Sequence, residues 1–243
     1  MKTILSFLLI GVLGIGYSNA QAVMSRKTVT TKVVPLKYKD QTDTLYLPQI
    51  ADRLPQLQKA LSEKELLNGE TLQDVINEYT ECGCGITSLQ YEVTCLYSDL
   101  ISIKLTYETM GAYPSTNQRW LTLNPNTGKA IPLSKIITAR GLQFIKAEYK
   151  KILLNRISKD RKAYAGDADY VAVLPKLMSS VNKLSLNSPQ VKYLVTKKGI
   201  LLSSETILPH VAESFEPDRN VLFGYNQLMK FKYLDAKGVL GKH

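Results

Sequence analysis

Apolar and polar residues alternate most regularly in the middle of the chain. Leu89, Tyr91, Val93, Cys95 and Tyr97 are interleaved with Gln90, Glu92, Thr94 and Leu96, and Ile101, Ile103, Leu105 and Tyr107 with Ser102, Lys104, Thr106 and Glu108. A period of two sends each set to its own face of a strand. The two runs, joined through Ser98-Asp99, therefore predict a long antiparallel hairpin with one buried and one more polar face. Ahead of it, residues 28–38 and 44–47 predict two strands, the second stopped by Pro48. Between these strands and the hairpin the period becomes helical: Leu54, Leu57 and Leu61, then Leu72, Val75, Ile76 and Tyr79. Ser62 to Glu65 has the form of a capping box, Gly69 ends that turn, and Pro55 suits a first helical turn.

Beyond the hairpin, residues 110–116 predict a loop, 119–123 a strand, 124–129 a turn and 130–133 a short returning strand. Residues 141–157 predict an amphipathic helix with Leu142, Ile145, Tyr149, Ile152 and Leu153 on one face. Residues 167–184 are apolar and partly helical, with Pro175 expected to prevent one uninterrupted helix. A second hairpin is expected from residues 191–195 and 200–203 around Lys198-Gly199, then a strand at 221–224 and a short helix at 226–231. Strands and helices in segregated runs predict the α+β class, an antiparallel sheet with helices packed on one side, as a single compact domain over residues 21–243.

The first twenty residues follow a different pattern. Lys2, an apolar run over 4–15 and the small-residue tripeptide Ser18-Asn19-Ala20 have the layout of a signal peptide, with cleavage expected before Gln21. The run is broken by Gly11, Gly14 and Gly16 and is shorter than the ~20 residues of a spanning helix. No cysteine follows it to carry a lipid, and no other stretch is apolar enough to span. The mature chain is thus expected to be secreted, periplasmic or extracellular.

Export changes how the charge is read. The formal net charge is +10, and loss of Lys2 leaves +9, much of it between Lys129 and Lys162, where ten Lys or Arg residues face only Glu148 and Asp160. Such a stretch attracts anionic surfaces, but nucleic acid is a poor partner for an exported protein. Envelope polymers, lipid head groups and acidic proteins come before it, and a merely solvated helix face before all of them.

An oxidising compartment also permits a disulfide among the three cysteines Cys82, Cys84 and Cys95. With Cys82 and Cys84 at a helix end and Cys95 on the next strand, a bridge from either to Cys95 would clip the turn, Cys84–Cys95 being the expected pair. By chain entropy it would contribute about 3 kcal/mol. The unpaired thiol leaves open a structural protein joined to itself. A metal site lacks its ligands, because the histidines, His210 and His243, lie far from the cysteines.

Catalytic chemistry finds little to work with. His210 has no nucleophile elbow near it and reads as a surface or structural residue, and no phosphate-binding glycine motif or dinucleotide fingerprint is present. No catalytic residue and no cofactor are therefore expected. Glu78 with Glu81, or Glu213 with Glu216 and Asp218, are the carboxylates a glycoside hydrolase would need, and solvated surface acids are the simpler reading. Among the tyrosines, Tyr91, Tyr97 and Tyr107 are expected in the core. Tyr113, in a loop with Gly111 and Pro114, is the one expected to be accessible to a partner.

The run Tyr107-Glu108-Thr109-Met110-Gly111-Ala112-Tyr113-Pro114-Ser115, followed by residues 121–129 and Ile131-Pro132-Leu133, resembles the RsiV-like domain family of unknown function. Lys198-Gly199-Ile200, Leu208-Pro209-His210-Val211-Ala212 and residues 221–228 match that family more loosely. The family, which includes PdaC N-terminal-like domains, supplies the extracytoplasmic part of lysozyme-sensing anti-sigma factors and the non-catalytic domain preceding some peptidoglycan deacetylases. The resemblance implies a single α+β binding domain at the cell envelope, with a cell-wall polymer or a secreted protein as partner and Glu108, Gly111, Tyr113 and Pro114 as contact residues. No membrane span or deacetylase module is expected here, so signalling through a membrane and deacetylation are not implied. Lysozymes are themselves basic, so binding one requires that the charges of this chain be segregated. The competing expectation is a carbohydrate-active hydrolase with a carboxylate pair.

Overall fold

A computed structural model describes residues 28–186, 191–235 and 240. The expected signal peptide, its cleavage point and His243 lie outside the described residues.

The described residues open with strands β1 (Val29–Tyr38) and β2 (Gln41–Ile50), antiparallel through Val34↔Leu45 and their neighbours. Pro48 does not stop β2 but sits within it, past the point where Leu45 meets Leu89 of the next strand, so that ladder has no need of the N–H proline lacks. Three helices follow: α1 (Pro55–Ala60), α2 (Glu63–Leu66) and α3 (Leu72–Cys82). Pro55 stands in the first turn of α1, and the Ser62 side chain accepts from the Glu65 N–H, as the sequence implies. Thr71 and Asp74 close a capping box on α3.

Strands β3 (Gly85–Leu96), β4 (Ile101–Met110) and β5 (Pro114–Leu123) complete a five-stranded sheet whose spatial order follows the sequence. It is antiparallel except where β2 meets β3. Leu36, Leu45, Leu89, Ile103 and Leu105 point to the helices and, with Leu57, Leu66, Val75 and Tyr79, form the first core. From Leu89 to Val93 the odd residues pair toward this side, a bulge between Ile86 and Ser88 turns Ile86 to it as well, and a second bulge between Val93 and Cys95 shifts the register and sends Cys95 to the second core. Strict alternation along β3 therefore fails at both of its ends.

The rest of the chain builds that second core. The expected strand at 130–133 shrinks to a single bridge, Leu123↔Ala130, and a 3-10 turn at Leu133–Lys135 takes its place. Helix α4 (Ala139–Ala163) buries Ile145, Tyr149, Leu153 and Ile157. Helix α5 (Ala168–Lys183) runs unbroken through Pro175, against expectation. Pro175 and Val171, whose carbonyl it deprives of a donor, are both exposed, which leaves that carbonyl on the solvent side of the helix. Strands β6 (Val191–Val195), β7 (Gly199–Ser204) and β8 (Val221–Gly224) form a three-stranded antiparallel sheet, followed by α6 (Tyr225–Lys230). The α+β class with an antiparallel-rich sheet thus holds. No helix among the described residues is long and apolar enough to cross a membrane.

The two halves meet through hydroxyls. The outer edge of β6 lies on the face of the large sheet opposite α1 to α3, where Thr94 Oγ1 donates to the Val195 carbonyl at 2.7 Å. The Val195 N–H donates to Ser102 Oγ at 3.1 Å, and Thr122 Oγ1 donates to the Tyr193 carbonyl at 3.3 Å. Ser102 and Thr122 are themselves hydrogen-bonded at 2.7 Å. An edge strand that would otherwise bury unpaired backbone groups is satisfied by side chains.

Candidate functional site

A groove of about 1340 Å³ runs between the β4–β5 hairpin and the segment from β7 to β8. Of residues 110–116, expected as a loop, Met110 and Pro114 to Thr116 are strand: Met110 pairs with Pro114, Thr109 and Ser115 share a hydroxyl hydrogen bond of 2.7 Å, and Gly111 to Tyr113 remain as the turn. The polar run Ser115 to Gln118 hides this extension, since its pairing with β4, not its hydropathy, makes it a strand. Glu108 and Pro114 line the groove. Gly111 and Tyr113 sit at the hairpin tip, where Tyr113 is 76% exposed. Of the other tyrosines, Tyr107 is buried and donates to the Leu66 carbonyl, whereas Tyr91 is only half-buried, its hydroxyl on Thr31 and Thr30.

The opposite wall comes from the ends of β7 and β8 and from a 3-10 turn over His210–Phe215. It brings together Glu213, Glu216 and Asp218 but occupies each of them. Glu216 Oε1 accepts the backbone N–H groups of Ile207 and Leu208, both at 2.5 Å, and Oε2 faces Arg219 Nε at 3.2 Å. Arg219 also reaches Glu213 at 3.9 Å and the Ser204 carbonyl at 3.2 Å, and Asp218 pairs with Arg156 of α4 at 3.6 Å. Glu216 thus ties the loop after β7 to the 3-10 turn. His210 is exposed, its Nδ1 3.4 Å from Glu213. Glu78 and Glu81, the other carboxylates considered for hydrolysis, lie on α3 and do not line the groove.

Asp43, Glu108, Glu205, Glu213, Glu216 and Asp218 line this groove against Lys192 and Arg219. Burial lowers the Lys192 ammonium from the usual lysine range, Glu205 pulls it back up and Arg219 lowers it further. Glu108 and Glu205 carry no ion pair among the described residues. The cations concentrate instead on α4, which holds Arg140, Lys146, Lys150, Lys151, Arg156, Lys159, Arg161 and Lys162. The net charge of the chain therefore misdescribes its groove. Glu213, Glu216 and Asp218 stand together in the sequence, and a local count of charge would have added Glu205; Asp43 and Glu108 join them only by folding.

The cysteines require a correction. The disulfide joins Cys82 to Cys84, with Cα atoms 5.2 Å apart, and Cys95 is a buried free thiol. The expected Cys84–Cys95 bridge fails because β3 starts at Gly85, directly after Cys84, and runs extended to Leu96. At about 3.3 Å per residue that puts the two cysteines at opposite ends of a strand, far beyond the ~7 Å a disulfide spans. Gly83, at φ +65, caps α3 inside the small ring, and a Cβ there would lie 2.6 Å from the Tyr38 ring. Burial pushes the Cys95 thiol up to about 11. No group of residues suited to holding a metal ion occurs among the described residues.

No family model matches the chain, and no curated protein matches it. Solved structures do resemble it, two of them from one family. One is a DUF3298 family protein from Pseudomonas aeruginosa PAO1, 16% identical, covering 85% of this chain and 94% of that one with a TM-score of 0.49. The other, a member of the same family from Bacteroides fragilis, is 14% identical and covers 88% of this chain and 95% of that one with a TM-score of 0.47.

Proposed function

We propose that the protein is an exported, non-catalytic binding module of the cell envelope whose groove receives a cationic segment of a secreted, envelope-attacking protein such as a lysozyme. The observation that carries this reading is the separation of charge. The groove is lined by carboxylates while the basic residues of α4 lie outside it, Arg156 alone reaching across to Asp218, which lessens near the groove the repulsion a uniformly basic chain would exert on a basic partner. The groove exceeds the ~300–1,000 Å³ of small-molecule sites and suits a protein segment better than a single sugar ring. Tyr113 at the hairpin tip adds a rigid aromatic at the rim. Glu216 is spent on two backbone N–H groups and Arg219, which speaks for a structural rather than an acid–base role.

The test is calorimetric titration of the chain from Gln21 onward with a basic lysozyme, an acidic protein of similar size and insoluble peptidoglycan. Binding confined to the lysozyme, weakened at least about tenfold by Glu108→Lys with Glu205→Lys and by raised salt, is the expected result. Salt-resistant retention on peptidoglycan that ignores both substitutions would place the partner in the wall polymer, and absence of binding to all three would remove the proposal. The intact mass of the protein recovered after expression in a bacterium reads export directly, because cleavage leaves Gln21 first.

A further inference from the structure

On a part of the molecule that does not line the groove, the turn after α6 is held against the start of α4. The Tyr233 carbonyl accepts from the Thr138 N–H at 2.8 Å, the Asp235 N–H donates to the Ile136 carbonyl, and Ile137 bridges to Leu234. A Cβ on Gly141 would meet the Tyr233 carbonyl oxygen at 2.7 Å, so the approach needs glycine. The turn closes with the Tyr233 N–H on the Leu228 carbonyl and the Lys232 N–H on that of Met229, which forces Lys232 into the left-handed region at φ 54. A lysine is disfavoured in that conformation.

This fixed turn holds a row of rings that runs from the core to the surface at Phe231, with cations beside it. Phe144 stacks on Tyr233 at 4.7 Å between centroids and Tyr233 on Phe231 at 5.7 Å, each pair 29° from parallel. Arg140 lies 6.0 Å from the Tyr233 ring and Lys230 5.6 Å from that of Phe231. Among the described residues Arg140, Lys230 and Lys232 pair with no carboxylate. Phe231 is 46% and its neighbour Met229 60% exposed.

We propose that this turn is a membrane-contact site, seating Phe231 and Met229 at the acyl boundary of a bilayer while Arg140, Lys230 and Lys232 meet the phosphates of anionic lipids. Charge complementarity names an anionic partner, and the exposed apolar pair chooses among anionic partners. A soluble polyanion would satisfy the cations and leave Phe231 and Met229 in water, whereas a lipid surface takes both. The contact is peripheral and needs no spanning segment.

Sedimentation of the chain from Gln21, which keeps every residue of both cores, with vesicles of phosphatidylglycerol and phosphatidylcholine, or of phosphatidylcholine alone, tests this. The anionic vesicles are expected to bind it roughly tenfold or more tightly. Met229→Ser with Phe231→Ser should weaken that binding by about tenfold, and Lys230→Glu with Lys232→Glu should abolish the preference for anionic lipid. Thermal melts check that the variants fold, and Met229→Ser alone, at an exposed position, decides the matter should loss of the Phe231 stack unfold the turn. Equal binding to both vesicle types, or binding unchanged by the apolar substitutions, would overturn the proposal, the latter reducing the site to a plain cationic patch.

Discussion

On one side of the five-stranded sheet Leu36, Leu45, Leu89, Ile103 and Leu105 are sealed beneath three helices; on the other, Thr94, Ser102 and Thr122 receive the edge of a second sheet. The first contact is non-directional and scales with apolar area, so it fixes that the helices cover the sheet but leaves their seating to shape. The second is a set of directed hydrogen bonds to Tyr193 and Val195, so it fixes where along the sheet β6 must lie. The groove depends on that second contact, since one wall belongs to the large sheet and the other to segments leaving the small one.

Breaking the apolar side should cost most. Leu105→Ala removes a fully buried side chain and is expected to destabilise by about 2–5 kcal/mol, seen as a lower urea midpoint at unchanged slope. Ser102→Ala attacks the polar side and strands the Val195 N–H, for about 1–3 kcal/mol. Its distinguishing sign is faster hydrogen exchange at Val195, along with weaker binding in the groove; exchange unchanged there would mean the hydroxyls do not hold β6.

A smaller effect is expected from Cys82→Ser. Opening a disulfide that closes so short a loop should cost about 1.6 kcal/mol by chain entropy, less than the Cys84–Cys95 bridge would have contributed. In the parent, thiol labelling should find Cys95 only after unfolding, because it is buried.

The smallest effect is expected from Tyr79→Phe, which deletes a hydrogen bond of 2.5 Å to Asp43 and should cost about 1 kcal/mol at neutral pH. Burial first, then the bond to Asp43 and its charge, push Tyr79 up to about 12 from an ordinary value near 10. The unfolded chain ionises first, so the contribution is complete below pH 10 and is lost as pH rises toward 12. Denaturant melts at neutral and alkaline pH should show the parent losing its margin over the variant; a constant margin would mean the hydroxyl titrates normally.

Local pattern determined a great deal here by itself. The two-residue period from Leu89 to Tyr107, the cap at Ser62 and the helical stripe through Ile145, Tyr149 and Leu153 each arise from interactions within a few residues or from one periodic face, and such signals survive in a linear sequence. Tyr113 was legible as an exposed residue for the same reason, being flanked by Gly111 and Pro114. Pairing between distant segments was not legible. The early start of β5 is set by its partner β4, the side to which Cys95 turns by a bulge, and the continuity of α5 through Pro175 by which face meets water. The acid lining of the groove is of the same kind, because Asp43, Glu108 and Glu205 lie far apart along the chain and acquire a common field only when two sheets are docked through three hydroxyls. Composition counts charges, whereas electrostatic attraction depends on the distances between them, and those distances are a property of the tertiary fold.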